Sequence, residues 1–240
     1  MLHRIVAQTR GSRGDWSPWR SCILPRCGAR CLVVVPVPNP MQVLMNAATD
    51  TQTLLRRVRA CTICADLPLG PRPILQISDT AKVLIVGQAP GRITHHKGHP
   101  FDDPSGDRLR AWLGIDRDVF YDAQKVAILP MGFCFPGTGK GGDLPPRPEC
   151  AQAWRDQILG RLVAVELTLI VGRYAIDWHL PDHAKSSVTQ AVQSWREVWP
   201  SKLILPHPSP RNNRWLKTNP WFEAEVIPAL QDRVAALFGP

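Results

Sequence analysis

Residues 83–109 hold side chains and backbone groups of the kind that a catalytic cleft needs. Four apolar, β-favouring residues come first. The turn GQAPG (residues 87–91) follows, where glycine and proline leave backbone amides able to face a ligand. Phe101 then places an aromatic ring beside the carboxylates of Asp102 and Asp103. Active sites typically combine a strand end, an amide-lined turn, a ring that can stack and carboxylates that can accept a proton. These features do not yet specify a reaction.

The elements that must position these residues alternate between strands and helices along the chain. Apolar runs predict strands over residues 83–87, 126–129, 167–171 and 202–205, and other patterns predict helices over 53–64, 105–115, 148–162, 186–198 and 220–238. This alternation predicts an α/β fold, a single domain with a central four-stranded parallel sheet flanked by helices. We expect Ser105 or Asp107 to cap the second helix and Pro228 to kink the last one.

The carboxyl ends of the predicted strands gather the special residues of the chain. Parallel sheets bind their ligands at those ends. Here they carry the motifs GQAPG, PMGFC, VGRY and HPSPRNN. The sequence therefore predicts one cleft at this rim of the sheet.

Composition and charge set the broad class of the protein. A chain of 240 residues with 44% hydrophobic content can bury a full core, which we assign to residues 46–240. No apolar run reaches the roughly 18 residues that span a bilayer, so we expect a cytoplasmic protein. The net charge is +9, of which residues 1–40 contribute +5. We interpret residues 1–45 as a basic, disordered extension, which need not be translated; a nucleic-acid-binding arm is the alternative.

Three motifs, in their order and positions, resemble the uracil-DNA glycosylase superfamily. They are GQAPG after a buried strand, HPF at residues 99–101, and HPSPRN after the last strand. The similarity covers roughly residues 54–238 and is greatest to the iron–sulfur branch of bacteria and archaea. It implies a monomeric enzyme that hydrolyses the N-glycosidic bond of uracil or a related deaminated base in DNA and leaves an abasic site. Catalysis through a lysine Schiff base is not expected, because the three motifs contain no lysine.

The resemblance also implies roles for residues within the motifs. Phe101 matches the ring that stacks on a base flipped out of DNA. His207 matches the histidine that stabilises the departing base, with Gln88 completing the catalytic set. Asp103 is the candidate carboxylate for the sugar and the attacking water, with Asp102 and Asp107 as alternates. The base-binding pocket is expected to include Gly87, Ala89, Gly91, Phe101 and Met131.

The chain departs from the family pattern at two of these positions. Ala89 stands where the best-known branch has its acid, and Pro130 stands where many relatives read uracil with an asparagine. Backbone groups of Met131 and Gly132 are candidates to read the base instead, so hypoxanthine, xanthine and oxidised pyrimidines stay open as substrates.

Two other functions compete with base excision. The same two departures favour a non-catalytic protein that binds damaged DNA or an unstacked base. An unrelated α/β hydrolase is disfavoured, because the chain has no G-x-S-x-G motif.

Four cysteines resemble the ligand set of the iron–sulfur branch. Cys61, Cys64, Cys134 and Cys150 would hold a [4Fe–4S] cluster. Relatives place the last cysteine about one helical turn later, where this chain has Trp154. Zinc on four thiolates and free structural cysteines are the alternatives.

Contacts to DNA are expected from the loops beside the cleft. Arg211, Asn212 and Arg214 extend the HPSP loop, which in relatives enters the minor groove. Lys140 lies in a glycine-rich segment, residues 136–142, that we interpret as a flexible basic loop for a phosphate contact or as a solvated turn.

Overall fold

Four short parallel strands form the centre of the computed structural model, which describes residues 51–239. The strands of the chain are β1 (Val83–Val86), β2 (Val126–Ile128), β3 (Thr138–Gly139), β4 (Gly142–Asp143), β5 (Leu167–Val171) and β6 (Lys202–Leu205). The central sheet has the order β2-β1-β5-β6 and all its pairs are parallel. The predicted α/β fold is confirmed, while the prediction for residues 1–45 lies outside the described residues.

Strand β1 lies in the middle of the sheet and is buried along its whole length. Ile85 pairs with Ile128 on one side and with Leu169 on the other. Because the strands run in one direction, the turn after β1 and the HPSP segment after β6 emerge at the same rim. The order of the strands therefore places the motifs within reach of each other.

Helices cover the two faces of the sheet. They are a helix over residues 51–59 (α1), α2 (Arg92–Lys97), α3 (Pro104–Leu113), α4 (Arg117–Tyr121), α5 (Asp156–Leu159), α6 (Arg173–His179), α7 (Val188–Gln193), α8 (Asn213–Thr218) and α9 (Ile227–Phe238). Two π-helical segments, Ala151–Arg155 and Phe222–Val226, run directly into α5 and α9. Pro228 is the second residue of α9 and comes directly after the π-helical segment Phe222–Val226, and the kink expected at this proline stays a prediction. None of the helices in the described part has the length and apolarity to cross a membrane.

Helix α3 begins differently from the prediction. Its N-cap is Asp103, whose Oδ1 accepts a hydrogen bond from the Gly106 amide at 2.9 Å. Neither Ser105 nor Asp107 is the cap; the Asp107 carboxylate instead pairs with Arg110 one turn further along. Pro104 at the first helical position fixes the backbone for this start.

The glycine-rich segment after β2 is ordered as a small hairpin and is not a featureless loop. Strands β3 and β4 pair antiparallel, with Thr138 opposite Asp143. The side-chain amide of Gln88 donates to the Leu144 carbonyl at 2.8 Å. This bond ties the hairpin to the turn that follows β1.

Candidate active site

A cleft of about 620 Å³ opens at the carboxyl rim of the sheet. This volume falls within the range of about 300–1,000 Å³ that is typical of small-molecule sites. The cleft brings together most of the residues predicted from the motifs: Gly87, Gln88, Ala89, Gly91, Phe101, Asp103, His207, Arg211 and Asn212. The sheet order therefore joins the GQAPG, HPF and HPSP segments in one site.

Met131, Lys140 and Arg214 do not line this cleft. Met131 is buried in the hydrophobic core. Its amide donates to the Gly87 carbonyl at 2.7 Å, and the Gly132 amide donates to the Gln88 carbonyl at 2.9 Å. Both amides therefore extend the pairing between β1 and β2 and are not free to read a base, while a role for the backbone carbonyls of Met131 and Gly132 stays a prediction.

Lys140 and Arg214 are exposed outside the cleft. Lys140 lies in the turn of the β3–β4 hairpin, and Arg214 lies in the first turn of α8. Both cations are near segments that line the cleft, so they are placed to meet a long substrate beside the pocket rather than inside it.

Phe101 lies across the cleft in an unusual backbone conformation. Its φ is +55°, a region that residues other than glycine rarely adopt. The ring packs edge-on against Phe120, with centroids 6.3 Å apart. A Cβ added to Gly87 would lie 3.8 Å from the ring tip, so the ring reaches over the turn after β1. Strained residues of this kind concentrate at ligand sites.

Gly106 permits the close approach of α3 to Phe101. A Cβ at position 106 would lie only 1.7 Å from the Phe101 carbonyl oxygen. No L side chain fits there without movement of the backbone. The glycine in the DPSG segment therefore serves the placement of the ring, which is a role that motif reading did not reveal.

Two further side chains hold the Phe101 loop, and sequence analysis missed both of them. Tyr121 donates its hydroxyl to the Pro100 carbonyl at 3.0 Å. Arg110 donates to the Phe101 carbonyl at 3.3 Å and lies over the Phe120 ring at 5.3 Å. These residues belong to α3 and α4, and α4 was not predicted at all. Its five residues are too few to show a helical period.

His207 is oriented by the loop that carries it. Its Nδ1 accepts a hydrogen bond from the Ser209 amide at 3.2 Å. Burial lowers the pKa of His207, although the carboxylates of Asp103 and Asp143 act in the opposite direction. A neutral imidazole that accepts at Nδ1 carries its proton on Nε2. The side chain therefore offers an N–H donor and not a cation.

Arg108 clamps the HPSP loop from α3. Its guanidinium donates to the carbonyls of Pro208 (3.3 Å) and Ser209 (3.1 Å) and to Asn213 Oδ1 (2.6 Å). Asn212 adds a bond from its side-chain amide to the His207 carbonyl at 2.7 Å. Arg108 thus links α3, the helix that follows Phe101, to the loop after the last strand. Its position on α3 gave no sign of this role in the sequence.

The carboxylates near the cleft differ in their environments. Asp102 faces away from it and pairs with Arg117 at 2.8 Å and Lys97 at 3.5 Å. The Arg117 hydrogen bond holds the pKa of Asp102 below its usual range. Asp103 lines the cleft, with one oxygen committed to the helix cap. Asp143 also lines the cleft, and no sequence motif pointed to it.

The floor of the cleft is apolar. It includes Ile74, Ile128 and Pro130. The Pro130 carbonyl accepts a hydrogen bond at 2.9 Å from Arg155, a fully buried arginine in the first π-helical segment. The position that many relatives use to read the base therefore offers no side-chain donor or acceptor here.

The four cysteines lie close enough to influence one another electrostatically. Burial first, with smaller contributions from the other three thiols, raises the pKa of Cys134 to about 11. The Phe133 amide donates to Cys150 Sγ at 3.4 Å, a type of bond that tunes cluster ligands. In residues 51–239 the side chains do not form a closed group of three or more ligands for a metal ion. The four residue types match the donors of a cluster, and the four thiols are free of disulfide bonds.

Comparison with known proteins gives one family. The sequence model of the Uracil DNA glycosylase superfamily matches residues 75–231. Among solved structures, a provisionally assigned uracil DNA glycosylase from Methanosarcina acetivorans, determined by solution NMR, is 16% identical. That match covers 65% of this chain and 93% of the other, with a TM-score of 0.39. The sequence match includes GQAPG, Phe101, Asp103 and HPSP and spans more than half of the chain.

Proposed function

The chain belongs to the uracil DNA glycosylase superfamily, and we propose that it hydrolyses the N-glycosidic bond of a deaminated base in DNA, uracil first, and leaves an abasic site. The observation that carries this proposal is the meeting of Phe101, His207 and Asp103 in one cleft. A stacking ring, a neutral N–H donor and a carboxylate are the groups that this reaction requires.

Recognition begins with the base outside the helical stack. The bond to be broken is inaccessible in duplex DNA, so enzymes of this kind take the nucleotide into a pocket. Phe101 supplies a flat apolar surface on which the base stacks. The backbone conformation of this residue, held by Tyr121 and Arg110, keeps the ring in place before the substrate arrives.

His207 acts on the leaving group. As the glycosidic bond breaks, its electron pair moves to the base and negative charge collects on a ring carbonyl oxygen. The Nε2–H of a neutral His207 donates to that oxygen, and the bond strengthens as the charge develops. Because the Ser209 amide fixes Nδ1, the ring needs no rearrangement during the step.

Asp103 acts on the sugar. Its capping bond to Gly106 fixes the carboxylate at the edge of the cleft. The negative charge stabilises the positive sugar that forms as the base departs. Gln88 Nε2 is anchored to the β3–β4 hairpin, which leaves Oε1 to accept a hydrogen bond from the imide N–H of uracil.

We expect the pocket to discriminate only weakly between uracil and other deaminated bases. The apolar lining at Ile74, Ile128 and Pro130 has no side-chain amide to pair with both O4 and N3–H of uracil. Hypoxanthine and xanthine, which also carry a carbonyl beside an N–H, are the next candidates. DNA strands on either side of the pocket would meet the exposed Lys140, Arg211 and Arg214.

Cys61, Cys64, Cys134 and Cys150 are proposed as the ligands of a [4Fe–4S] cluster. Support comes from the electrostatic effect of the neighbouring thiols on Cys134 and Cys150 and from the amide bond to Cys150. A cluster would join α1 to the segments after β2, a structural contribution. Iron and acid-labile sulfide, measured on protein purified without oxygen, test the proposal. We expect about four of each per chain, and colourless protein with stoichiometric zinc or no metal would contradict it.

Excision is tested directly with oligonucleotides that contain one uracil, hypoxanthine or xanthine, in single-stranded and duplex form. Alkali cleaves the strand at each abasic site, so strand scission after a single turnover measures base removal. We expect uracil to be excised fastest. Binding without removal of any base would contradict the proposal and favour a protein that only recognises damaged DNA.

A further inference from the structure

The cleft contains a second carboxylate that the family motifs do not include. Asp143 is the last residue of β4 and lines the cleft together with residues of the HPSP segment. A Cβ added to Gly91 would lie 3.4 Å from Asp143 Oδ2, so the carboxylate lies beside the turn after β1. The negative charge of Asp143 acts to raise the pKa of the His207 imidazole, against the larger effect of burial.

The carboxylate of Asp143 is not committed to any other bond. Within residues 51–239, neither oxygen has a hydrogen-bond or ion-pair partner. Asp103, by contrast, gives one oxygen to the Gly106 amide, and Asp102 is paired with two cations outside the cleft. A base that takes a proton from water needs an accessible, uncommitted oxygen. Asp143 meets this requirement better than either alternative.

The position of Asp143 is held by its backbone. Its amide and carbonyl belong to the hairpin, and the hairpin is tied to β1 through the bonds from Gln88 to the carbonyls of residues 143 and 144. The side chain can therefore be changed without loss of these bonds. A negative charge at the mouth of this cleft also opposes the binding of a polyanion, so it does not serve affinity.

We propose that Asp143 is a second catalytic carboxylate, which takes the proton of the attacking water while Asp103 stabilises the sugar. This inference rests on the proposed glycosylase function. In the step, the bond from C1′ to the base breaks and its electron pair leaves with the base. The water oxygen forms a bond to C1′, and the proton of the water passes to Asp143. The base anion takes a proton from solvent, and Asp143 returns its proton to solvent afterwards.

The test compares single-turnover excision of uracil by the wild-type protein, Asp143→Asn and Asp182→Asn. Asp182 is exposed and does not line the cleft, so its variant is the matched control. We expect Asp143→Asn to slow excision about a hundredfold or more, the usual contribution of a general base. We expect its affinity for the same oligonucleotide, measured by fluorescence anisotropy, to be unchanged or slightly higher.

Three results would overturn the inference, and they are distinguishable. If the wild type excises uracil and the rate of Asp143→Asn is within threefold of it, Asp143 does not take the proton of the water, and the proposed function is unaffected. A weakened affinity with an unchanged rate at saturation assigns Asp143 to binding. Failure of the wild type to excise any base removes the proposed function, and the role of Asp143 with it.

Discussion

At the scale of single residues, the site depends on a backbone contact between Phe101 and Gly106. The carbonyl of Phe101 occupies the space that a side chain at position 106 would need. The same carbonyl accepts a bond from Arg110, and the residue has a positive φ. Three constraints thus meet on one peptide unit, which fixes the ring for stacking.

Replacement of Gly106 by alanine should disturb both stability and excision. A methyl group 1.7 Å from a carbonyl oxygen forces α3 away from the Phe101 loop, and overpacking of this kind costs about 1–3 kcal/mol. We expect that loss in urea unfolding, together with slower excision. Gly141→Ala is the control, because a Cβ there meets nothing within 4 Å. An unchanged midpoint for Gly106→Ala would contradict the assigned role.

The motifs predicted which residues meet in the cleft better than they predicted what each atom does. Phe101, Asp103 and His207 were found through the resemblance of their segments to the glycosylase motifs, and the parallel sheet then brings these segments to one rim. The cap at Asp103, the occupied amides of Met131 and Gly132, and the clamp by Arg108 depend on three-dimensional hydrogen bonds. Nothing in the residue types or their spacing records such bonds.

At the scale of elements, the strands were predicted closely and the small elements were not. Strands β5 and β6 match their predicted bounds, because runs such as Leu167–Val171 are apolar and end at a glycine or proline. The β3–β4 hairpin was missed, since glycine-rich residues carry no alternating pattern. The π-helical segment Ala151–Arg155 was read as ordinary helix. Arg155, the last residue of this segment, donates to the Pro130 carbonyl.

The contact between that π-helical segment and α6 predicts a dependence of stability on pH. Arg155 and His179 Nε2 are 2.9 Å apart, and burial together with the cation lowers the pKa of His179 to about 4. An unfolded histidine titrates near 6.5. Stability should therefore be complete above pH 6.5 and fall as the pH drops toward 4, by up to about 3 kcal/mol.

Urea unfolding between pH 7 and 4.5 measures this effect. His179→Gln, which keeps an acceptor for Arg155 but does not titrate, should lose less stability across the range than the wild type. His96→Gln, at an exposed histidine, should behave as the wild type does. Identical slopes for all three proteins would contradict the assignment to His179.

At the scale of the whole molecule, the cations proposed for DNA lie beside the rim that carries the cleft. Lys140 and Arg211 are both exposed. Arg211 lies beside the β3–β4 hairpin, since its Nη1 would be 3.0 Å from a Cβ added to Gly142. The sequence predicted these residues from the loops beside the motifs. Whether residues 1–45 add to this charge is a prediction that lies outside the described residues.

Salt dependence tests the assignment of these cations. Each lost phosphate contact should reduce the slope of log affinity against log salt by about 0.9 for duplex DNA. We expect Lys140→Ala and Arg211→Ala to show this reduction. Lys125→Ala should leave the slope unchanged. Lys125 directly precedes β2 and so lies at the amino ends of the strands, away from the rim that carries the cleft. Equal slopes for all variants would place the DNA elsewhere.

The most direct test of the proposed function is single-turnover removal of uracil by the wild-type protein and His207→Ala. Loss of an oriented donor to a developing oxyanion typically slows a reaction about 10²–10³-fold. We predict a loss of that size, with the affinity for the oligonucleotide changed less than threefold and with His96→Ala as active as the wild type. Equal rates for the wild type and His207→Ala would contradict the role of this histidine in the cleft. A wild type without excision would contradict the function itself.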